Sequence, residues 1–457
     1  MHHIVSAIAL CLVVPSVSAA DLPPAATYQG ELALPDGGKL PLEVEFFRNA
    51  AGAVSANMAS PTEGARYVSV SSVSWADDQL SVHTVAPDAL ISGELRADGV
   101  WLASYQQGEF GAELQMHPSD GMTEIPRSQS QRALGDWRGQ DLSIETTGAM
   151  LAATHVRPHS VKAAALLLAG SGATQRDGYH SGHRPLAVLA GALAEAGVAT
   201  LRYDKRGVYR SSGSLDVTDL QTIVGDARAA LLKLRALHPQ LPVIVIGHSE
   251  GGVVAAMLRA SDPQLAGVVS LMGPTMPTLD LFTLQDSAQA RAAGANAEQA
   301  ATLMAFARRI YIAASEHTDS EQRMAALGVV LEQASEAERA LFERYNGGTG
   351  TLGVGMLSAA HYDELLAVKP MNFWQQSSIP ALLLFGEHDV QVPAAQNAQL
   401  VQGVNGTEVM TVAGVNHVLQ PATDGARAQY AEIEISVDPT LMAIVSQWIA
   451  RLIDSGP

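Results

Sequence analysis

Five short, nearly uninterrupted apolar runs constrain this chain most: Ala163-Ala-Ala-Leu-Leu-Leu-Ala, Val198-Ala-Thr-Leu-Arg-Tyr, Pro242-Val-Ile-Val-Ile-Gly, Ala266-Gly-Val-Val-Ser-Leu-Met and Pro380-Ala-Leu-Leu-Leu-Phe-Gly. A strand needs apolar side chains on both sides only when both faces of its sheet are covered, which is the condition inside a parallel sheet. Between these runs, Arg184 to Ala196, Asp219 to Leu237 and Thr440 to Ile453 carry helical spacing. Strand and helix in alternation predict an α/β fold with a doubly wound, mostly parallel sheet, whose crossovers are right-handed.

Two stretches depart from that alternation. Residues 21–135 consist of short period-two segments such as Leu40-Pro-Leu-Glu-Val-Glu-Phe-Phe, separated by turn signals at Asp36-Gly37-Gly38, Asp77-Asp78, Asp98-Gly99 and Gly108. That pattern predicts an N-terminal all-β domain, sandwich or barrel. The polar stretch from Pro126 to Asp136 reads as a linker into the α/β core, assigned to 136–277 and 369–457. Residues 278–368 lack a buried strand and are rich in Ala, Glu, Gln, Arg and Met. They are expected to form a helical cap inserted between two core strands, with plain surface helices as the alternative; the strand ends beside such an insertion are where ligands bind in this class of sheet.

At 457 residues the chain has room for two or three domains. Residues 1–20 have the form of a signal peptide, with an apolar stretch from Ile4 to Val17 and small residues at Val17-Ser18-Ala19, although His2 and His3 stand where Lys or Arg is usual. The apolar run is shorter than a membrane span and contains Pro15, so cleavage and export to the periplasm or medium are expected ahead of a stable membrane anchor. The single cysteine, Cys11, lies in that segment behind Leu10, which is not the small residue of a lipoprotein site. A mature chain without thiols has neither disulfides nor cysteine nucleophiles or metal ligands. A net charge of −18 argues against nucleic acid and anionic membrane surfaces as partners.

The chemistry concentrates at Gly247-His248-Ser249-Glu250-Gly251. A bare Gly-x-Ser-x-Gly is weak evidence, but this one follows an apolar strand and opens a helical run, the context of a nucleophile elbow. The glycines relieve collisions in a sharp turn that holds Ser249 in an unusual backbone conformation. Serine is a poor nucleophile until a base takes its proton and a carboxylate orients that base. The base expected among 14 histidines is His417, in the Gly/Asn loop Gly414-Val415-Asn416-His417. Asp389, in the loop after residues 381–385, is the expected acid, with Glu387 as its rival. Oxyanion donors are expected from the backbone amides of Ser171, between Gly170 and Gly172, and of Glu250. Gly170, Gly172 and His248 are substrate-pocket candidates, although His248, flanking the nucleophile, reads first as a supporting or packing group. Glu250 sits at a helix start where any anion is favoured, and a second reading lets it bind a cationic substrate group. No metal or organic cofactor is implied.

Taken in order, Gly170-Ser171-Gly172 with Arg176-Asp177-Gly178, Arg202-Tyr203-Asp204-Lys205-Arg206-Gly207, Gly247-His248-Ser249-Glu250-Gly251-Gly252, Gly386-Glu387-His388-Asp389-Val390-Gln391-Val392-Pro393 and Asn416-His417 resemble the serine-aminopeptidase-like and esterase branch of the α/β-hydrolase family. The resemblance covers about residues 140–457. It implies an α/β-hydrolase fold, Asp389 rather than Glu387 as the acid, and carboxylesterase activity on a small-molecule ester. It also implies an exported form, whose relatives often carry an N-terminal β domain. One departure is Tyr209, where similar proteins have a small residue; it is a further pocket candidate. An aminopeptidase or amidase, and a non-catalytic binding protein on a hydrolase scaffold, are the alternatives.

Overall fold

The computed structural model describes residues 22–61, 65–68, 70–84, 88–130, 139–215, 219–317, 319–347 and 360–454. The signal segment, most of the expected linker and part of the expected cap lie outside the described residues. Contacts divide the chain into two compact units, one centred on residues 22–122 and the other on 123–454.

The first unit is an antiparallel sheet of β1 (Thr27–Ala33), β2 (Lys39–Arg48), β3 (Val54–Ser60), β4 (Ala65–Val68), β5 (Val70–Ala76), β6 (Gln79–Thr84), β7 (Ala89–Leu95), β8 (Trp101–Gln107) and β9 (Phe110–Ser119). The strand order is β4-β3-β2-β1-β9-β8-β7-β6-β5. Because β4 and β5 are consecutive in sequence yet end the sheet on opposite sides, the meander curls back on itself as a near-barrel. Period-two alternation turns one face of each strand inward, where Tyr28, Phe46 and Trp101 meet with ring centroids 5.9–6.2 Å apart. The Asp77-Asp78 turn joins β5 to β6 with both residues at positive φ, 50° and 62°, the backbone a two-residue hairpin loop demands.

The second unit carries the doubly wound, mostly parallel sheet expected from the sequence. Its strands are β10 (Gln140–Thr146), β11 (Ala149–Val156), β12 (Ala163–Leu168), β13 (Val198–Tyr203), β14 (Val243–His248), β15 (Gly267–Leu271), β16 (Ala381–Gly386) and β17 (Thr407–Val412), in the order β10-β11-β13-β12-β14-β15-β16-β17. From β13 to β17 every pairing is parallel; β10 and β11 add an antiparallel hairpin at one edge. Successive residues of β12 face opposite ways. Ala164, Leu166 and Leu168 join a core with α2 (Leu220–Leu237) and α3 (Glu250–Ser261), while Ala163, Ala165 and Leu167 join one with α1 (Pro185–Glu195) and the C-terminal helix Pro439–Asp454. Helices cover both faces, which explains the unbroken apolar runs.

Between β15 and β16 the chain forms α4 (Thr278–Ala292), α5 (Ala297–Ser315), α6 (Ser320–Glu332), α7 (Glu336–Phe342), α8 (Ala360–Ala367) and α9 (Pro370–Trp374). The insertion is therefore helical, with a small core of its own around Phe306, Ile310, Tyr311 and Leu327. Residues 126–130, read from sequence as linker, are instead fastened to the second unit. Arg127 Nη2 donates to the carbonyls of Ala431 (2.6 Å) and Ser181 (3.1 Å), and Gln129 Oε1 accepts from the amides of Ser436 and Val437. Their polarity serves hydrogen bonding to backbone rather than solvation.

Candidate active site

The turn between β14 and α3 holds Ser249 at φ 54° and ψ −120°, a conformation costly for any residue with a side chain. Glycine on either side makes it attainable. A Cβ on Gly247 would lie 2.0 Å from the Gly251 carbonyl oxygen, and one on Gly251 would lie 2.6 Å from that of Leu168. The turn thus presents Ser249 at the C-terminal edge of the sheet, the edge where β16 and β17 deliver their loops as well.

Those loops bring two more of the residues singled out from sequence to Ser249. His417 Nε2 lies 3.1 Å from Ser249 Oγ, and His417 Nδ1 lies 2.8 Å from Asp389 Oδ2. Asp389 Oδ1 accepts the amides of Gln391 (2.8 Å) and Val392 (2.7 Å), so its carboxylate is fixed by backbone on one oxygen and free for the imidazole on the other. A carboxylate only accepts; Nδ1 must therefore carry the proton, which leaves Nε2 to accept from the serine hydroxyl. Glu387 is engaged elsewhere, accepting the Gly414 amide on an exposed surface at 2.8 Å. The histidine loop is shaped by Asn416, fully buried, whose Oδ1 accepts the amides of Val418 and Gln420.

The Ala169–Gly172 loop packs on the nucleophile, since a Cβ on Gly170 would lie 3.3 Å from both Ser249 Cβ and His248 Nδ1. Gly172 takes φ +78°, open to glycine without strain. Among the described residues neither the Ser171 nor the Glu250 amide donates to a protein acceptor, so both donors remain free at the edge where Ser249 stands.

His248 is tied to the histidine loop through one ring nitrogen. Its Nε2 donates to the His417 carbonyl at 2.8 Å, and burial, followed by the neighbouring His417, lowers its pKa to about 3, which keeps it neutral. Tyr209 sits in the turn after β13 at φ 47°, its ring 5.1 Å from the guanidinium of Arg210. Glu250 does not offer its carboxylate to a substrate cation, because Lys205 Nζ already holds it at 2.7 Å with both side chains about 9% exposed.

Three further ion pairs explain the other motif residues. Arg176 grips Asp204 through Nε (3.0 Å) and Nη2 (2.8 Å), Arg202 Nε donates to Asp177 at 2.7 Å, and Arg206 forks onto Asp226. The loop behind Ser171 is thereby tied to the end of β13. Lys205 has no role legible from its motif alone. Its available signal was the charged run Asp204-Lys205-Arg206 directly after a fully buried strand.

His180, assigned from sequence to a polar loop, has both ring nitrogens buried without a hydrogen-bond partner, and burial together with His183, His248, His417 and Arg127 holds its pKa well below the usual histidine range. Among the described residues no group of three or more His, Cys, Asp or Glu side chains could hold a metal ion, and no helix is long and apolar enough to cross a membrane.

The family model described as serine aminopeptidase, S33, matches residues 176–324. A monoglyceride lipase homologue of monkeypox virus is 28% identical over 111 residues, 23% of this chain and 40% of that protein, so this chain spans about two fifths of the length of that curated relative. Among solved structures, an esterase of Pyrococcus furiosus is matched over 74% of this chain and 99% of its own at 14% identity, with a TM-score of 0.42. Est1E of Butyrivibrio proteoclasticus, solved with ferulic acid bound, is matched over 68% and 99% at 16% identity and a TM-score of 0.42. Proline iminopeptidase of Mycobacterium smegmatis is matched over 70% and 100% at 16% identity and a TM-score of 0.44.

Proposed function

We propose that this chain, a member of the α/β-hydrolase superfamily with serine-aminopeptidase-like motifs, is a serine hydrolase that cleaves small carboxylic esters through an acyl-enzyme. One observation carries the reading: the hydrogen-bonded chain from Ser249 through His417 to Asp389, with its serine raised on a strained turn. Ser249 Oγ attacks the ester carbonyl as its proton passes to His417 Nε2, and Asp389 stabilises the imidazolium through Nδ1. The amides of Ser171 and Glu250 hold the tetrahedral oxyanion, a contribution of about 3 kcal/mol per donor in comparable sites. Collapse expels the alcohol, protonated by His417. Water then repeats the sequence to release the acid.

An ester is favoured over a peptide with a free amine because Glu250, the carboxylate nearest the nucleophile in sequence, is neutralised by Lys205. The test is turnover of short-chain p-nitrophenyl esters against aminoacyl p-nitroanilides by the wild type and Ser249→Ala, with a fluorophosphonate label to locate the nucleophile. Loss of turnover and labelling in Ser249→Ala is expected; an alanine variant that is still active and labelled overturns the assignment. Faster nitroanilide turnover moves the substrate class to amides, and a wild type that neither turns over nor labels leaves a binding protein. We also propose export directed by residues 1–20, checked by N-terminal sequencing of the secreted product for a start near Ala20 or Asp21.

A further inference from the structure

Lys205 lies two residues beyond the end of β13 and Glu250 two beyond the end of β14, and β12 runs between those strands. Adjacent strands are about 4.8 Å apart, so the Lys205–Glu250 pair bridges about 10 Å of sheet edge, directly over the end of β12 from which the Ala169–Gly172 loop emerges. One proposed oxyanion donor, the Glu250 amide, belongs to this bridge, and the other, the Ser171 amide, lies in the loop that leaves the end of β12. The same residue that offers its amide to the oxyanion, Glu250, also carries a buried carboxylate. A buried anion there opposes the charge that develops on the substrate oxygen, and low local polarity makes the opposition strong.

The surrounding charges leave Lys205 as the cation that answers it. Arg176 is committed to Asp204 and Arg206 to Asp226. Tyr203 is pushed upward first by burial and then by Asp226 and Glu250, and stays a neutral phenol.

We propose that Lys205 is a positioning residue of the oxyanion site: it cancels the Glu250 charge and clamps the first turn of α3, so that the Glu250 amide faces the reacting carbonyl oxygen unopposed. The proposal rests on Ser249 being the nucleophile. Lys205 itself touches neither substrate nor reacting atoms.

The experiment is a charge cycle on the full-length protein. It reads kcat and KM for p-nitrophenyl acetate, the second-order rate of fluorophosphonate labelling at Ser249, and the thermal midpoint. Lys205→Met is expected to lower kcat and labelling about ten- to a hundredfold, with KM changed less than about threefold, because it strands an anion beside the oxyanion. Glu250→Gln loses less, Lys205→Arg stays within about threefold of wild type, and Lys205→Met/Glu250→Gln recovers at least about half of the logarithmic loss. If Lys205→Met is too unstable to purify, Lys205→Gln, which keeps a hydrogen bond without the charge, takes its place.

Wild-type labelling in the Lys205 variant, or a double variant as slow as the single, overturns the proposal and leaves the pair a packing tether. Labelling that persists in Ser249→Ala removes the nucleophile reading, and this proposal with it. Labelling lost in Ser249→Ala but unchanged in Lys205→Met removes this proposal alone.

Discussion

The two sheets of this protein bury their side chains by opposite rules. Along β6 and β8 of the first unit, inward residues alternate with partly or fully exposed ones, whereas β12, β13 and β16 of the second are buried at every position. The first unit fills its interior with Tyr28, Phe46, Trp101 and aliphatic neighbours. In the second unit, apolar strands end in buried charge: Asp204, Lys205 and Arg206 after β13, Glu250 after β14, and Asp389 after β16. A fully covered sheet can exclude water from its edge, and there paired charges and hydrogen bonds act with little screening. Among its described residues, the near-barrel gains stability from the same burial without assembling such a cluster.

The largest expected effect separates chemistry from stability within the second unit. Ser249→Ala should lower ester turnover a thousandfold or more while the thermal midpoint holds, since the change removes one hydroxyl and no packing. A parallel drop in midpoint would mean that the strained turn also supports the fold.

Removing one partner of a buried pair should do the reverse. Arg176→Ala strands Asp204, which is fully buried, and should cost about 3–5 kcal/mol in denaturant unfolding of the second unit. In the first unit the matching test is Trp101→Ala. It empties the aromatic core, with an expected loss of about 3–5 kcal/mol in the unfolding of that unit and no change in the rate of ester turnover by the folded protein. Lost turnover would show that the near-barrel contributes to catalysis.

Acid should act on the second unit through its neutral histidines. Burial is the first cause that lowers His155 and His183 to about 4 and His248 to about 3, helped by neighbouring positive or titratable groups. The unfolded chain, with histidines near 6.5, binds protons that the folded one refuses. Stability is therefore complete above pH 6.5 and is lost as pH falls through 4 toward 3. Denaturant midpoints at pH 7, 5.5 and 4.5 should decline in that order, and His155→Asn should flatten the decline. Smallest of all, Lys39→Ala removes an ion pair with Glu31 that is exposed on both sides and should leave the midpoint of the first unit unchanged.

Much of this was legible in the residues. The apolar runs located five parallel strands, and the helical stretch at Asp219 begins where the Asp219 carboxylate accepts the Thr222 amide as an N-cap. Missed was the hairpin of β10 and β11. Asp141, Ser143 and Glu145 give β10 an exposed face, as suits an antiparallel edge, so it lacks the apolar signature of the covered strands. At the site, residue types and motif order named Ser249, His417 and Asp389. The bonds of Lys205 to Glu250 and of His248 to the His417 carbonyl join positions 45 and 169 residues apart, and no local pattern encodes them.

The sequence by itself determined where chain is buried on two faces, where it must turn at glycine, and which side chains capable of acid, base and nucleophile roles follow buried strands, because periodicity and steric demand act over a few residues. Only the tertiary structure decided which carboxylate meets His417 and which is spent on a turn amide, and whether Glu250 is free or paired. Those outcomes depend on which strand ends lie side by side, and the strand order brings β13, β12 and β14 together out of sequence.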